Sequence, residues 1–144
     1  MLGSFPPSYA ANRDTPEHAE ASAFLAKAAT RPERHYLSEG IIYEFLRVAT
    51  HPRVFPQPLT ASEAVAFLTP LLASSSIELV RSGERHWESL TRVVEELTHP
   101  CGNLFFDIRT AALMREHGIR KIYTADTDFL QFRGIEVVNP LHRT

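Results

Sequence analysis

The chain has 144 residues, 44% of them hydrophobic and 22% charged, with a formal net charge of −2 and a single cysteine, Cys101. That length and balance predict one globular domain burying about 70% of its unfolded surface. They exclude an intramolecular disulfide and a Cys-based zinc site, and a lone thiol fits a reducing, cytoplasmic setting. No apolar run reaches the roughly 18–20 residues that cross a bilayer, the N-terminus has no charged-then-apolar signal pattern, and no membrane role is expected. The net charge supplies no general basic field, although a local basic patch is invisible in a total.

In chain order, Thr15, Pro16 and Glu17 predict a helix start, as N-cap, first-turn proline and dipole-complementing acid. Phe24, Leu25 and Ala28 give this helix a modest apolar stripe, and the polar stretch 30–34 ends it. A second helix is predicted from Ser38 or Glu39 to Ala49. Ile41, Ile42, Phe45, Leu46 and Val48 make it apolar over much of its circumference, which predicts burial. Residues 51–58 carry Pro52, Pro56 and Pro58 and cannot be helical. Thr60 and Glu63 form a capping-box pattern that opens a helix to Leu72, and Ile77 to Val80 reads as a short strand. Trp87, Leu90, Val94 and Leu97 mark another amphipathic helix. After the loop 99–103, a helix with Leu104, Ile108, Ala111 and Ala112 as its apolar partners is closed by Gly118. Lys121 to Thr124 and Ile135 to Val138 are β-prone. The order argues an α/β layer fold, a small parallel sheet flanked by helices, as a single domain over residues 1–144.

Carboxylates gather where such a sheet binds ligands, beyond the carboxyl ends of its strands. Asp126 and Asp128 directly follow the run from Lys121, Asp107 lies early in the preceding helix, and Glu44 sits on a partly apolar helix face. Each has an ordinary reading. Asp126 and Asp128 suit a turn, and Asp128 suits the N-cap of 129–132. Asp107 complements a helix N-terminus, and Glu44 pairs with Arg47 at i,i+3. The chemical reading is that unneutralised carboxylates in one crevice hold a divalent cation with oxygen ligands. No two of the seven histidines have the i,i+4 spacing of a helical zinc pair. There is no Gly-rich phosphate loop and no Gly-x-Ser-x-Gly elbow. Arg47, Arg53, Arg109 and Arg133 are candidate phosphate contacts that sequence does not separate from ordinary surface arginines.

Several segments together resemble a known family: Tyr43-Glu44-Phe45-Leu46-Arg47 with a Pro-rich segment after it, Gly102 to Asp107, and Thr124-Ala125-Asp126-Thr127-Asp128-Phe129. The ending Gly134 to Leu141 and the stretch Tyr9 to His18 add to this. The chain is similar to the PIN-domain ribonucleases, specifically the VapC toxins of type II toxin–antitoxin systems. The resemblance covers residues 9–141 and implies a PIN-like α/β fold with an acidic pocket. It also implies bound Mg²⁺ or Mn²⁺, hydrolysis of RNA (often transfer RNA), a cognate antitoxin covering the pocket, and a homodimer. Carried over residue by residue, Glu44, Asp107 and Asp126 match the family's catalytic, metal-binding acids. Asp128 matches an additional acidic position of the metal site.

One element departs from that pattern. The family's first strand ordinarily opens with Asp-x-Asn, whereas this chain has Gly3-Ser4-Phe5 followed by Pro6 and Pro7. Prolines remove ladder donors, so the first strand is in doubt, and Asp14 falls at the cap of the next helix. Loss of one carboxylate weakens cation binding. The expectation is a metal-dependent endoribonuclease of reduced activity. The alternative is a catalytically inactive PIN-fold module that binds an antitoxin or RNA, and a third reading is a small-molecule phosphatase.

Overall fold

A computed structural model of the protein describes residues 1–3, 7, 10–13, 18–30 and 33–141. The predicted helix start at Thr15, Pro16 and Glu17, together with Asp14 and Pro6, lies outside the described residues. The elements are α1 (His18–Thr30), β1 (His35–Ser38), α2 (Glu39–Ala49), α3 (Ala61–Ala73), β2 (Ile77–Val80), α4 (His86–Glu96), α5 (Leu104–Glu116), β3 (Lys121–Tyr123) and β4 (Glu136–Val138). A 3₁₀ turn, Thr127–Gln131, separates the last two strands.

The strands form two parallel pairs, β1 with β2 and β3 with β4. Residues 1–3 join the pairs into one layer. Leu2 N donates to Tyr36 O at 2.8 Å, while Gly3 N donates to Tyr123 O and Tyr123 N to Met1 O, both at 2.9 Å. Leu2 bridges Tyr123 in parallel and is fully buried. The doubt raised by the two prolines therefore stops short of residues 1–3, which pair at the centre of the layer before any proline occurs. The layer order is β2-β1-(1–3)-β3-β4.

Sequence reading missed β1. His35 and Leu37 are buried and Tyr36 half-buried, so both faces of this strand are covered and no alternation of apolar and polar residues announces it. It runs without a loop into α2, where the Ser38 hydroxyl accepts from Ile41 N at 3.2 Å as the N-cap. Ile41, Phe45 and Ala49 are the buried positions of α2, while Ile42, Leu46 and Val48 are half-buried, so the buried face is narrower than the apolar circumference predicts. The capping box at α3 forms with both reciprocal bonds, Glu63 N to Thr60 Oγ1 and Thr60 N to Glu63 Oε1, each 3.1 Å.

In α4 the apolar stripe runs differently from the predicted one. Val93 is the buried residue, and Trp87 is 76% exposed. The 3-4-3 spacing included Trp87 in the stripe, but the core ends at Leu90, Val94 and Leu97, which pack against it. Buried Ile108, Ala111, Ala112 and Met114 fix α5, and Gly118 takes φ +68°, which suits glycine at the helix C′ position. Among the described residues, no helix is long and apolar enough to cross a membrane.

The centre of the layer leaves no spare room. A Cβ on Gly3 would lie 2.9 Å from Thr124 Cβ, closer than real Cβ atoms approach, and 3.1 Å from Tyr123 O, a tight contact. Gly3→Ala is therefore expected to lower unfolding stability by about 1–3 kcal/mol. Urea titration should give a lower midpoint at unchanged m-value, and an unchanged midpoint would mean the layer yields freely at this point.

Candidate active site

Three pieces of chain converge beyond the carboxyl ends of the central strands. Glu44 comes from α2, Asp107 from the first turn of α5, and Asp126 from the segment after β3. They line one cleft of about 500 Å³ together with Gly40, Tyr43, Arg47, Asn103, Phe106, Arg109 and Thr110. Asp107, Asp126 and Asp128 each offer a carboxylate oxygen, and these oxygens lie within 4.8 Å of one another. Glu44 stands on the cleft wall outside that close group, yet its charge acts on Asp107.

Short-range hydrogen bonding sets the two terminal acids. Asp126 N donates to the buried Thr124 Oγ1 at 3.1 Å, and Asp128 N donates to Asp126 Oδ1 at 2.9 Å. These are side-chain-to-backbone turns of the kind Thr and Asp favour. The N-cap of the 3₁₀ turn is thus Asp126, not Asp128 as its position before Phe129 suggests. One oxygen of Asp126 is occupied by this cap, and Asp128 remains exposed beside it.

The ordinary readings of the other two acids do not describe what the structure shows. Among the described residues no ion pair joins Glu44 to Arg47. Asp107 is half-buried, and its carboxyl is pushed up to about 7 from an ordinary 3.8. Burial is the largest cause, followed by the charges of Asp126, Glu44 and Asp128. A helix N-terminus acting alone would move it the other way. A carboxyl raised by burial and by like charges in a cleft has the pattern of a candidate functional site, not of a capping role.

Only oxygen donors face one another here, which is the chemistry of hard divalent cations such as Mg²⁺ and Mn²⁺. Of the arginines singled out in the sequence, Arg47 and Arg109 line the cleft; Arg53 and Arg133 are not among its lining residues. Gly40 explains how Arg109 gets there. A Cβ at residue 40 would lie 3.2 Å from Arg109 Nη1, so the bare backbone of α2 leaves space for the guanidinium to lie across it. Sequence reading passed over Tyr43, Asn103, Phe106 and Thr110 as site residues. Their signal, an aromatic immediately before each of two acids, becomes meaningful only once α2 and α5 are known to face each other.

With fold and site in place, the likeness to known proteins is specific. The PIN domain family model matches residues 8–135, and the chain belongs to the PIN-domain family. Ribonuclease VapC48 of Mycobacterium tuberculosis (strain ATCC 25618 / H37Rv) is 32% identical over 132 residues, covering 92% of this chain and 90% of that protein. Ribonuclease VapC43 of the same strain is 31% identical over 133 residues, covering 92% and 89%. Within the family, the chain is VapC-like. The crystal structure of Mycobacterium tuberculosis VapC20, a sarcin-ricin loop cleaving toxin, superposes with a TM-score of 0.66 over 93% of this chain and 96% of that one. At 18% identity, that superposition speaks for the fold alone.

The raised Asp107 has a consequence for stability. Its folded value lies above its unfolded one, so ionising it costs the folded state. In metal-free buffer that cost is absent below about pH 4, builds up to about pH 7, and is constant above. Asp107→Asn removes it. At pH 8 the variant should be more stable than wild type by on the order of 1–2 kcal/mol, a value already reduced for solvent screening in the open cleft. The difference should vanish near pH 4. Thermal melts across this range measure it, and a difference independent of pH would place its origin elsewhere.

Proposed function

We propose that this chain is a metal-dependent endoribonuclease, a VapC-like toxin that hydrolyses RNA phosphodiester bonds and is restrained by a cognate antitoxin. The observation that carries this reading is the group Asp107, Asp126 and Asp128, three carboxylates with oxygens within 4.8 Å of one another and, among the described residues, no ion pair to a cationic side chain. Asp107, Asp126 and Asp128 would hold the ion, and the named ribonucleases related to this chain supply the substrate class. A divalent cation bound there neutralises charge on the scissile phosphate and lowers the pKa of a bound water.

The chain's own residues do the remaining work. Glu44, on the cleft wall and outside the close group, would orient the attacking water and accept its proton. Thr124, through the amide of Asp126, and Asp126, through the amide of Asp128, preset the acids before substrate arrives. Hydrolysis of this kind leaves a 5′-phosphate and a 3′-hydroxyl.

A specific observation favours a second reading, a PIN-fold module that binds without cutting. Gly3 occupies the strand position where the family pattern has an aspartate, so the cleft holds one carboxylate fewer.

The deciding experiment is incubation of partner-free protein with mixed transfer RNA in Mn²⁺. Cleavage should occur, and both EDTA and Asp126→Asn should reduce it at least about 100-fold, the scale on which a preorganised charged group acts. Glu44→Gln should lower the rate about 10²–10⁴-fold while leaving Mn²⁺ affinity, read by the shift in melting temperature, close to wild type. Mn²⁺ binding without cleavage would decide for the binding module. Cleavage indifferent to EDTA would remove the metal from the mechanism.

A further inference from the structure

The cleft has a repeated pattern that the chemistry of hydrolysis does not use. Two helices, α2 and α5, each present an aromatic, an acid and an arginine: Tyr43, Glu44 and Arg47 from the first, Phe106, Asp107 and Arg109 from the second. The aromatics are 71% and 68% exposed, whereas Phe45 on the neighbouring face of α2 is fully buried. Both large rings therefore stand in solvent at the rim of the acids. The two arginines are unpaired among the described residues, as are Arg53, Arg120 and Arg133 outside the cleft. Arg34, Arg81, Arg85, Arg92 and Arg115 each pair with a glutamate. Arg47 and Arg109 have no side-chain hydrogen bond or ion pair among the described residues, although carboxylates line the same cleft.

Unspent cations and bare aromatic faces around a cation-binding acid group fit one occupant: a polyanion with flat faces, that is, RNA with its bases unpaired. Bases in a duplex already stack on their neighbours and cannot offer a face to a side chain, whereas unpaired bases stack readily on Tyr and Phe. We infer that Tyr43 and Phe106 are a two-sided base clamp that selects unpaired RNA at the cleft, with Arg47 and Arg109 holding the flanking phosphates. This rests on the ribonuclease reading and deepens it. Both aromatics line the same cleft as the acids, so a strand with bases resting on the two rings would pass its phosphates along the carboxylates. The clamp residues do not touch the reacting atoms. They are specificity residues, and they act through stacking, which is tolerant of base identity.

Binding to Asp126→Asn protein in Mg²⁺ separates this inference from catalysis, because no cleavage is needed. The probes are a short fluorescein-labelled oligoribonucleotide of mixed, unpaired sequence and a base-free ribose-phosphate chain of the same length, read by anisotropy. Tyr43→Ala and Phe106→Ala should each weaken binding of the intact strand roughly 5- to 100-fold. Neither should alter binding of the base-free chain, and Tyr43→Phe should restore the affinity. Arg47→Ala should weaken both probes alike and reduce the salt slope by about one. Equal binding of the two probes by the parent protein, including none of either, overturns the clamp. So does an aromatic substitution that weakens only capture of a protein partner. A clamp that passes in a protein whose wild type cuts no RNA leaves the clamp standing and defeats the ribonuclease reading alone.

Discussion

Glu44, Asp107, Asp126 and Asp128 reach one crevice from three pieces of chain, and each of the other three raises the cost of ionising Asp107. Nothing in the immediate surroundings relieves this, because Arg47 and Arg109 pair with none of them. The arrangement persists because the elements carrying it are anchored elsewhere. Burial of Ile108, Ala111, Ala112 and Met114 holds α5, and burial of Ile41, Phe45 and Ala49 holds α2. A large apolar side chain taken out of water contributes about 1.5–3 kcal/mol. A few of them outweigh a repulsion of a few kcal/mol. The strain is local, the anchoring is distributed, and a bound cation converts the first from a cost into an attraction.

Placement of the acids depends in turn on the middle of the layer. Residues 1–3 hydrogen-bond to β1 on one side and β3 on the other, so the two strand pairs hold their spacing only while this segment is in position. Gly3 lies against Thr124, whose hydroxyl accepts from Asp126 N, and Asp126 in turn accepts from Asp128 N. A path of direct contacts therefore runs from the central segment to both terminal acids. A displacement at Gly3 is felt at Thr124 first and, through the Thr124 and Asp126 side chains, at the acids next.

Most helices were legible because their signals are local. The capping box at Thr60 and Glu63, the apolar face of residues 41–49 and the Gly118 stop each depend on neighbours within a few positions. The strands β2, β3 and β4 were legible as short β-prone runs, but β1 was not, since a strand covered on both faces has no period to read. The pairing of residues 1–3 was hidden for a different reason: a three-residue ladder is specified by its partners in space. The same distinction governs the site. Asp126 and Asp128 announced themselves by following a strand, and the motif resemblance selected Glu44 and Asp107. Tyr43, Phe106 and the space that Gly40 leaves for Arg109 are properties of two helices facing each other, which no single segment encodes.

Position 3 also changes the charge arithmetic of the cleft. Among the described residues, four carboxylates face two guanidinium groups, which leaves two formal negative charges when every group is ionised. One divalent cation cancels that remainder, and a phosphodiester then enters a cleft with no net repulsion against it. A fifth carboxylate at the strand position of Gly3 would leave a residual charge after one ion and favour the recruitment of a second. On the proposed reading, the glycine would weaken the grip on the first cation and remove the electrostatic need for another. Cation affinity would then follow the acids and strand affinity the arginines and aromatics, so a cleft short of one acid would give up hold on the ion before it gave up hold on the RNA.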